Sequence, residues 1–295
     1  MRTGEKAKSI QGDKLYQKRA RKALPILVRQ ALANQPIYYS DLAQELNMPN
    51  PRNLNYILGS IGQTLQEISK EWEEDIPPIN CLVINKTKGL PGDGITPFIA
   101  NQNNFAKLPL KQQRKIINLE FSKVYIYPRW SNVLELLDLE CKDNPDYAPF
   151  HDTSSKKYHG SGESLHHQHL KEFISKNPHI LGLPRSVEIG ELEKKLPSGD
   201  IADVFFVHKK DWVVVEVKSK ISDTADIYRG IYQCVKYQAV TEAFQIEKGF
   251  QPSCRVVLVL ENKFPSELIE LKNSLGIEVI EKIFPSEELS NPALS

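Results

Sequence analysis

Two runs of β-branched and aromatic residues, IADVFFVH (201–208) and WVVVEVK (212–218), are separated only by Lys209, Lys210 and Asp211. No other feature constrains the fold as tightly. Such residues suit a pleated, half-buried surface, and the short polar link allows only a tight reversal, so the pair predicts an antiparallel hairpin. Side chains alternate along a strand, which puts Glu216 and Lys218 on one face and Val217 on the other. Asp203 sits among apolar residues on the partner strand. A buried carboxylate is costly, and two on adjacent strands repel unless a cation lies between them. A divalent metal removes both penalties. Mg²⁺, or Mn²⁺ in its place, takes oxygen ligands and keeps several waters, so Asp203, Glu216, a main-chain carbonyl and a phosphate oxygen would complete its shell.

The flanking segments alternate helix and strand, the pattern of an α/β layer fold. Ser161 can cap a helix running to about Lys176, where Asn177-Pro178 stops it. In that helix Glu163, His167, Leu170 and Ile174 share the face turned to the core. After the hairpin, Asp223 can cap the helix TADIYRGIYQCVKYQAVTEAF, in which Arg229, Gln233 and Tyr237 are successive i+4 neighbours. A strand RVVLVL, a helix FPSELIELKNSL and a closing strand IEVIEKI follow. Asp200, in SGDIAD, competes with Asp203 for the metal. Asp203 is preferred because VFFV follows it, whereas Asp200 follows Ser198-Gly199 and reads as a turn residue.

Asp203, then Glu216-Val217-Lys218 thirteen positions on, resembles the signature of the PD-(D/E)XK nuclease superfamily, with a helix bearing Glu163 before it. The later Gln233 and Tyr237, in YQCVKYQA, are similar to the QxxxY element of its RecB-like branch. The resemblance spans roughly 162–283. Ala202 stands where the family has proline. The resemblance implies a restriction-endonuclease-like α/β (α+β) domain with a mixed central sheet flanked by helices. It implies Asp203 and Glu216 as metal ligands and Lys218 as the water-orienting or charge-stabilising lysine. Glu163 would support the metal or its water, and Gln233 and Tyr237 would contact the lysine, metal waters or DNA backbone. Arg229 is added as a phosphate contact, since guanidinium pairs with phosphate in a bidentate way. The cysteine cluster of iron-sulfur relatives is missing: Cys81, Cys141, Cys234 and Cys254 are scattered with no CxxC pair and predict free thiols.

The first half reads differently. Residues 17–34 look helical, Ser40 sits where a cap would start DLAQEL, and a turn at Pro49–Arg52 precedes a helix with Leu54, Ile57, Leu58, Ile61, Leu65 and Ile68 on one face. INCLVIN then reads as a strand and KTKGLPGDGI as a turn folding back, so the order predicts a mostly helical, winged helix-turn-helix-like domain over 1–141. A linker over 142–161 and a nuclease domain over 162–295 complete the expected organisation. Arg52 and Asn53, with Asn55 and Gln63, are candidates for contacting nucleic acid, as are Lys18, Arg19, Arg21 and Lys22 of a basic N-terminal stretch that also holds Lys6, Lys8, Lys14 and Arg29. Glu71, Glu73, Glu74 and Asp75 work against that contact at the far end of the helix.

Across 295 residues the net charge is only +1, so any nucleic-acid contact must rest on such local patches. No apolar run is long enough to span a membrane, and MRTGEKAKSIQGDK lacks a signal-peptide core, which predicts a cytoplasmic, reducing setting. No GxxxxGK[ST] loop is present. The expected function is metal-dependent hydrolysis of DNA in a restriction-like, anti-phage defence or repair role. RNA cleavage and a non-catalytic adaptor retaining the fold are the alternatives. Cutting both strands takes two centres, which a homodimer would supply; a partner subunit cannot be named from these residues.

Overall fold

The computed structural model describes residues 7–99, 105–142 and 165–285. The chain divides into two compact units: Met1–Pro145 with Asn273–Gly276, and Asp146–Lys272 with Ile277–Ser295. Lys6, Ser161, Glu163 and the expected linker beyond Lys142 lie outside the described residues.

The first unit is built from helices α1 (Leu15–Leu32), α2 (Tyr39–Glu45), α3 (Leu54–Glu71), α4 (Leu110–Ile126) and α5 (Trp130–Leu136). Their apolar faces share one core that includes Leu24, Leu27, Ile57, Ile61, Ile117 and Trp130. The apolar periodicity of α3 explains its orientation, because Leu54, Ile57, Leu58, Ile61, Leu65 and Ile68 are all buried. Helix α2 begins at Tyr39 with Tyr38 in the capping position, not at Ser40, whose hydroxyl bonds Asp41 instead.

INCLVIN departs from the expected strand. Ile79–Leu82 form a 3₁₀ turn, and only Val83–Ile84 (β2) are extended. This strand pairs in parallel with Ile37–Tyr38 (β1), Ile37 against Val83 and Tyr38 against Ile84. The expected hairpin wing is therefore absent among the described residues. Ile79, Cys81 and Leu82 are each 0% exposed. An apolar run buried on every side has no period-two signature, and a helical turn buries it as well as a strand does. The loop after it does reverse, with the Asn85 N–H donating to Leu90 O and the Gly89 N–H to Asn85 O. The chain then enters a 3₁₀ segment, Asp93–Phe98, where a returning strand was expected.

The second unit carries a five-stranded mixed sheet flanked by helices, in the order β3 (Glu191–Lys195), β4 (Ile201–His208), β5 (Asp211–Lys218), β6 (Cys254–Leu260), β7 (Glu278–Ile280). The β3–β4 and β4–β5 pairs are antiparallel; β5–β6 and β6–β7 are parallel. His208 pairs with Asp211, so the hairpin loop is only Lys209-Lys210, with Lys209 in the left-handed region at φ 58°. Helix α6 (Leu165–Lys176) buries Leu170 and Ile174 against Val204, Phe206, Val213, Val215 and Val217. Helix α7 (Thr224–Glu247) is the crossover between β5 and β6, and Asp223 caps it by accepting the Asp226 N–H. The short helix α8 (Ile269–Ser274) precedes β7. Among the described residues no helix is long and apolar enough to cross a membrane.

Candidate active site

Residues 204, 206, 213, 215 and 217 fill the core on the α6 side of the sheet. Alternation therefore turns Glu216 and Lys218 to the opposite face, where α7 packs. The β4–β5 ladder runs from His208–Asp211 to Val204–Val215 and goes no further. One step on, Asp203 would face Glu216. There the Val217 N–H donates to Asp203 Oδ2 at 2.8 Å, so a side chain takes over where the β4 main chain leaves off. The β3–β4 pairing also skips a step, passing from Leu192–Val204 to Lys194–Ala202. Glu193, the residue opposite Asp203 at the skip, has a left-handed backbone with φ 52°. Both neighbours of Asp203 thus lose regular pairing at the same level.

Glu216 is 3% exposed, and its Oε1 accepts from Lys218 Nζ at 2.7 Å. Lys218 also donates to Gln233 Oε1 at 3.2 Å, and Gln233 Nε2 donates to the Tyr237 hydroxyl at 3.4 Å. The Tyr237 hydroxyl donates in turn to Ile201 O at 3.0 Å. One hydrogen-bonded chain therefore ties β5 to α7 and α7 to β4. The i+4 spacing of Gln233 and Tyr237 makes it possible, since both project from one face of the helix. On the other side, His167 Nε2 of α6 lies 3.3 Å from Asp203 Oδ1.

Burial pushes the Glu216 carboxyl up to about 7, the Asp203 charge pushes the same way, and Lys218 only partly offsets them. Burial, then Glu216 and Asp203, likewise raise the Tyr237 phenol, which stays protonated. Excess negative charge between Asp203 and Glu216 is what a cation would relieve. Among the described residues, no group of three or more His, Cys, Asp or Glu side chains is arranged to hold a metal ion. A cation here would rest on Asp203 and Glu216 with water and main-chain oxygen, a donor set suited to Mg²⁺ or Mn²⁺ and poor for zinc.

Of the other expected residues, Asp200 is engaged elsewhere, accepting from Lys236 Nζ at 2.8 Å and from the Ser198 hydroxyl at 2.5 Å. Arg229 pairs with Asp226 on its own helix, on an exposed face. It is not joined to the Lys218–Gln233–Tyr237 chain by the interactions above. In the first unit Arg52, Asn53, Lys18 and Lys22 are exposed and Arg19 half-buried. Arg21 is spent on structure, its Nη1 donating to Ile10 O at 2.6 Å and Gly12 O at 2.9 Å. Arg29 is buried in an ion pair with Glu45 at 2.6 Å. The basic stretch is therefore smaller as a surface than as a sequence.

Two features escape reading from the sequence. Glu193 lies close enough to Asp203 for their charges to interact and is itself held by Lys171 Nζ at 2.9 Å. Its strand, ELEKK, lacks the apolar alternation that would reveal it. Gly230 is the second. A Cβ there would stand 2.8 Å from Lys218 Cε and 3.1 Å from Leu258 Cδ1, so its bareness lets α7 lie directly over the lysine stem. In comparisons with protein families, curated proteins and solved structures, nothing matches this chain.

Proposed function

We propose that the second unit is a divalent-metal-dependent nuclease that hydrolyses phosphodiester bonds in DNA. The observation that carries this reading is the interrupted β4–β5 ladder, where Asp203 accepts the Val217 N–H and lies close enough to Glu216, the partner of Lys218, for the two carboxyl charges to interact. When held by these two carboxylates, Mg²⁺ or Mn²⁺ supplies a Lewis acid for the phosphoryl oxygen and a more acidic water. An ammonium has three N–H donors; Glu216 and Gln233 accept two, and the third can meet the charge that develops on the substrate. Gln233 and Tyr237 aim that donor by holding the lysine from α7. A restriction-like, anti-phage defence or repair role fits a nuclease unit joined to a helical unit with no nucleotide-hydrolysis motif.

Plasmid and linear DNA incubated with Mg²⁺ or Mn²⁺ should be cut by the wild-type chain. Asp203→Asn, Glu216→Gln and Lys218→Ala should each lose at least ~10²-fold in rate. A second reading has its own support, because Lys218 at 2.7 Å offers Glu216 a partial counter-charge without a metal. A non-catalytic nucleic-acid adaptor would look the same. Equal DNA binding by wild type and variants, with no cutting by any, selects the adaptor. Labelled RNA in the same assay distinguishes an RNA-cleaving enzyme.

A further inference from the structure

Residues 84–119 hold six cations, Lys86, Lys88, Lys107, Lys111, Arg114 and Lys115, against the one acid Asp93, in a chain whose net charge is +1. The fold brings four of these cations together on the first unit. Lys111, Arg114 and Lys115 stand at i, i+3 and i+4 on the exposed side of α4, while Ile117, Glu120 and Val124 turn inward. Lys88 comes from the loop after β2, which its own hydrogen bonds hold in shape: the Thr87 and Lys88 N–H groups both donate to Asn85 Oδ1, at 2.9 and 3.2 Å. Arg114 Nη2 donates to Lys88 O at 3.4 Å and so ties this loop to α4. Lys86 lies over the Tyr38 ring instead, 5.9 Å from its centroid.

Such an arrangement costs the free protein stability, because like charges three and four residues apart on a helix repel. No carboxylate relieves it. Glu120, the next acid along α4, is buried and paired with Lys123 at 2.8 Å, and Asp93 lies near the Tyr39 phenol. Among the described residues Lys88, Lys111 and Lys115 have no acidic partner. The other arginines of this unit show the contrast: Arg29 is paired with Glu45, Arg129 with Glu74, and Arg21 is spent on main-chain carbonyls. Gln112 and Asn118, exposed beside the cations, add neutral groups of the kind that bond phosphate and sugar oxygens.

We propose that Lys88, Lys111, Arg114 and Lys115 form the surface by which the first unit binds the phosphate backbone of DNA. The choice of DNA among polyanions rests on the nuclease reading, since that backbone is what the second unit would cut. The patch on α4 and its loop, and not Arg52, Asn53 or the basic N-terminal stretch, is then the main contact of this unit. Phosphate contacts carry no sequence information, so unrelated duplexes bind alike, and binding weakens steeply with salt as counterions are released.

Fluorescence anisotropy of a labelled, mixed-sequence DNA duplex, titrated with the full chain in EDTA over a series of salt concentrations, tests this. Combining Lys88→Gln, Lys111→Gln and Lys115→Gln should weaken binding at low salt by at least ~10-fold and make the slope of log K against log salt shallower by about 3. The melting temperature should not fall, since the substitutions relieve repulsion. Combining Lys18→Gln, Lys22→Gln and Arg52→Gln removes the same charge and should change the slope by less than about 1. Lys88→Gln alone, expected to change it by about 1, keeps the test intact if the triple variant fails to fold. Unchanged affinity and slope in the α4 variant, or an equal loss in the control, overturns the proposal. So does loss of binding to phosphatidylserine vesicles with DNA affinity retained, which would make the patch a membrane contact. No metal is present, so a chain that binds through this patch and never cuts refutes the nuclease reading while upholding this one.

Discussion

The two ends of the β4–β5 hairpin are made from the same strands and do opposite things. At the loop end, pairs from His208–Asp211 to Val204–Val215 are regular, and Phe206, Val213 and Val215 are packed into the core. At the other end the ladder stops, a carboxylate replaces a main-chain acceptor, and Glu216 is buried against its electrostatic interest. The difference teaches where stability is generated and where it is given up. Apolar burial in the middle of the sheet supports a strained, charged edge that would not persist alone.

The sharpest way to break this comparison is to exchange effects between the ends. Lys218→Ala should lower DNA cleavage per folded molecule by at least ~10²-fold, as measured by turnover and calorimetry on the same sample. Next in size is the pH response of the metal-free protein. The Glu216 carboxyl sits near 7 when folded, above its ordinary value of 4.5, so between these values the folded state binds more protons than the unfolded one. Stability must then fall as pH rises through that window, by about 3 kcal/mol at most. Denaturant melts from pH 4.5 to 7.5 should show this slope, and Glu216→Gln should flatten it. Added Mg²⁺ should oppose it near neutrality, where the ion competes with the proton.

Val215→Ala makes the reverse exchange. It should cost about 2 kcal/mol of stability yet leave turnover per folded molecule within about twofold of wild type, the ordinary consequence of a core change with no group at the site. The smallest effect is expected at Gly230→Ala. Better helix propensity, worth about 1 kcal/mol, offsets the crowding of Leu258 and the flexible lysine stem, so stability barely moves. Displacement of Lys218 should nevertheless cut kcat by about tenfold with KM unchanged. A shift in KM instead would mean that Gly230 acts on substrate binding and not through the lysine.

Much of the second unit was legible because its signals are local. The strand pair, the Asp223 cap and the i+4 relation of Gln233 to Tyr237 all follow from period and propensity over short windows. What was not legible depends on partners distant in the chain. Polar ELEKK becomes an edge strand only because β4 is beside it. Arg21 and Arg29 carry the same charge as Lys18 and Lys22, and only the fold shows that the arginines are consumed by Ile10, Gly12 and Glu45. The INCLVIN run illustrates the limit of periodicity, since full burial erases the difference between strand and turn. His167 was visible as an i+4 neighbour of Glu163, but its approach to Asp203 is a tertiary event.

Calorimetric titration of Mn²⁺ into the wild-type chain, beside Asp203→Asn, Glu216→Gln and Asp200→Asn, addresses the paired carboxylates most directly. Binding of Mn²⁺ in the wild type and in Asp200→Asn, lost in both other variants, is the result required if Asp203 and Glu216 share one cation. Undiminished binding in Asp203→Asn and Glu216→Gln, or no binding by any form, would contradict it.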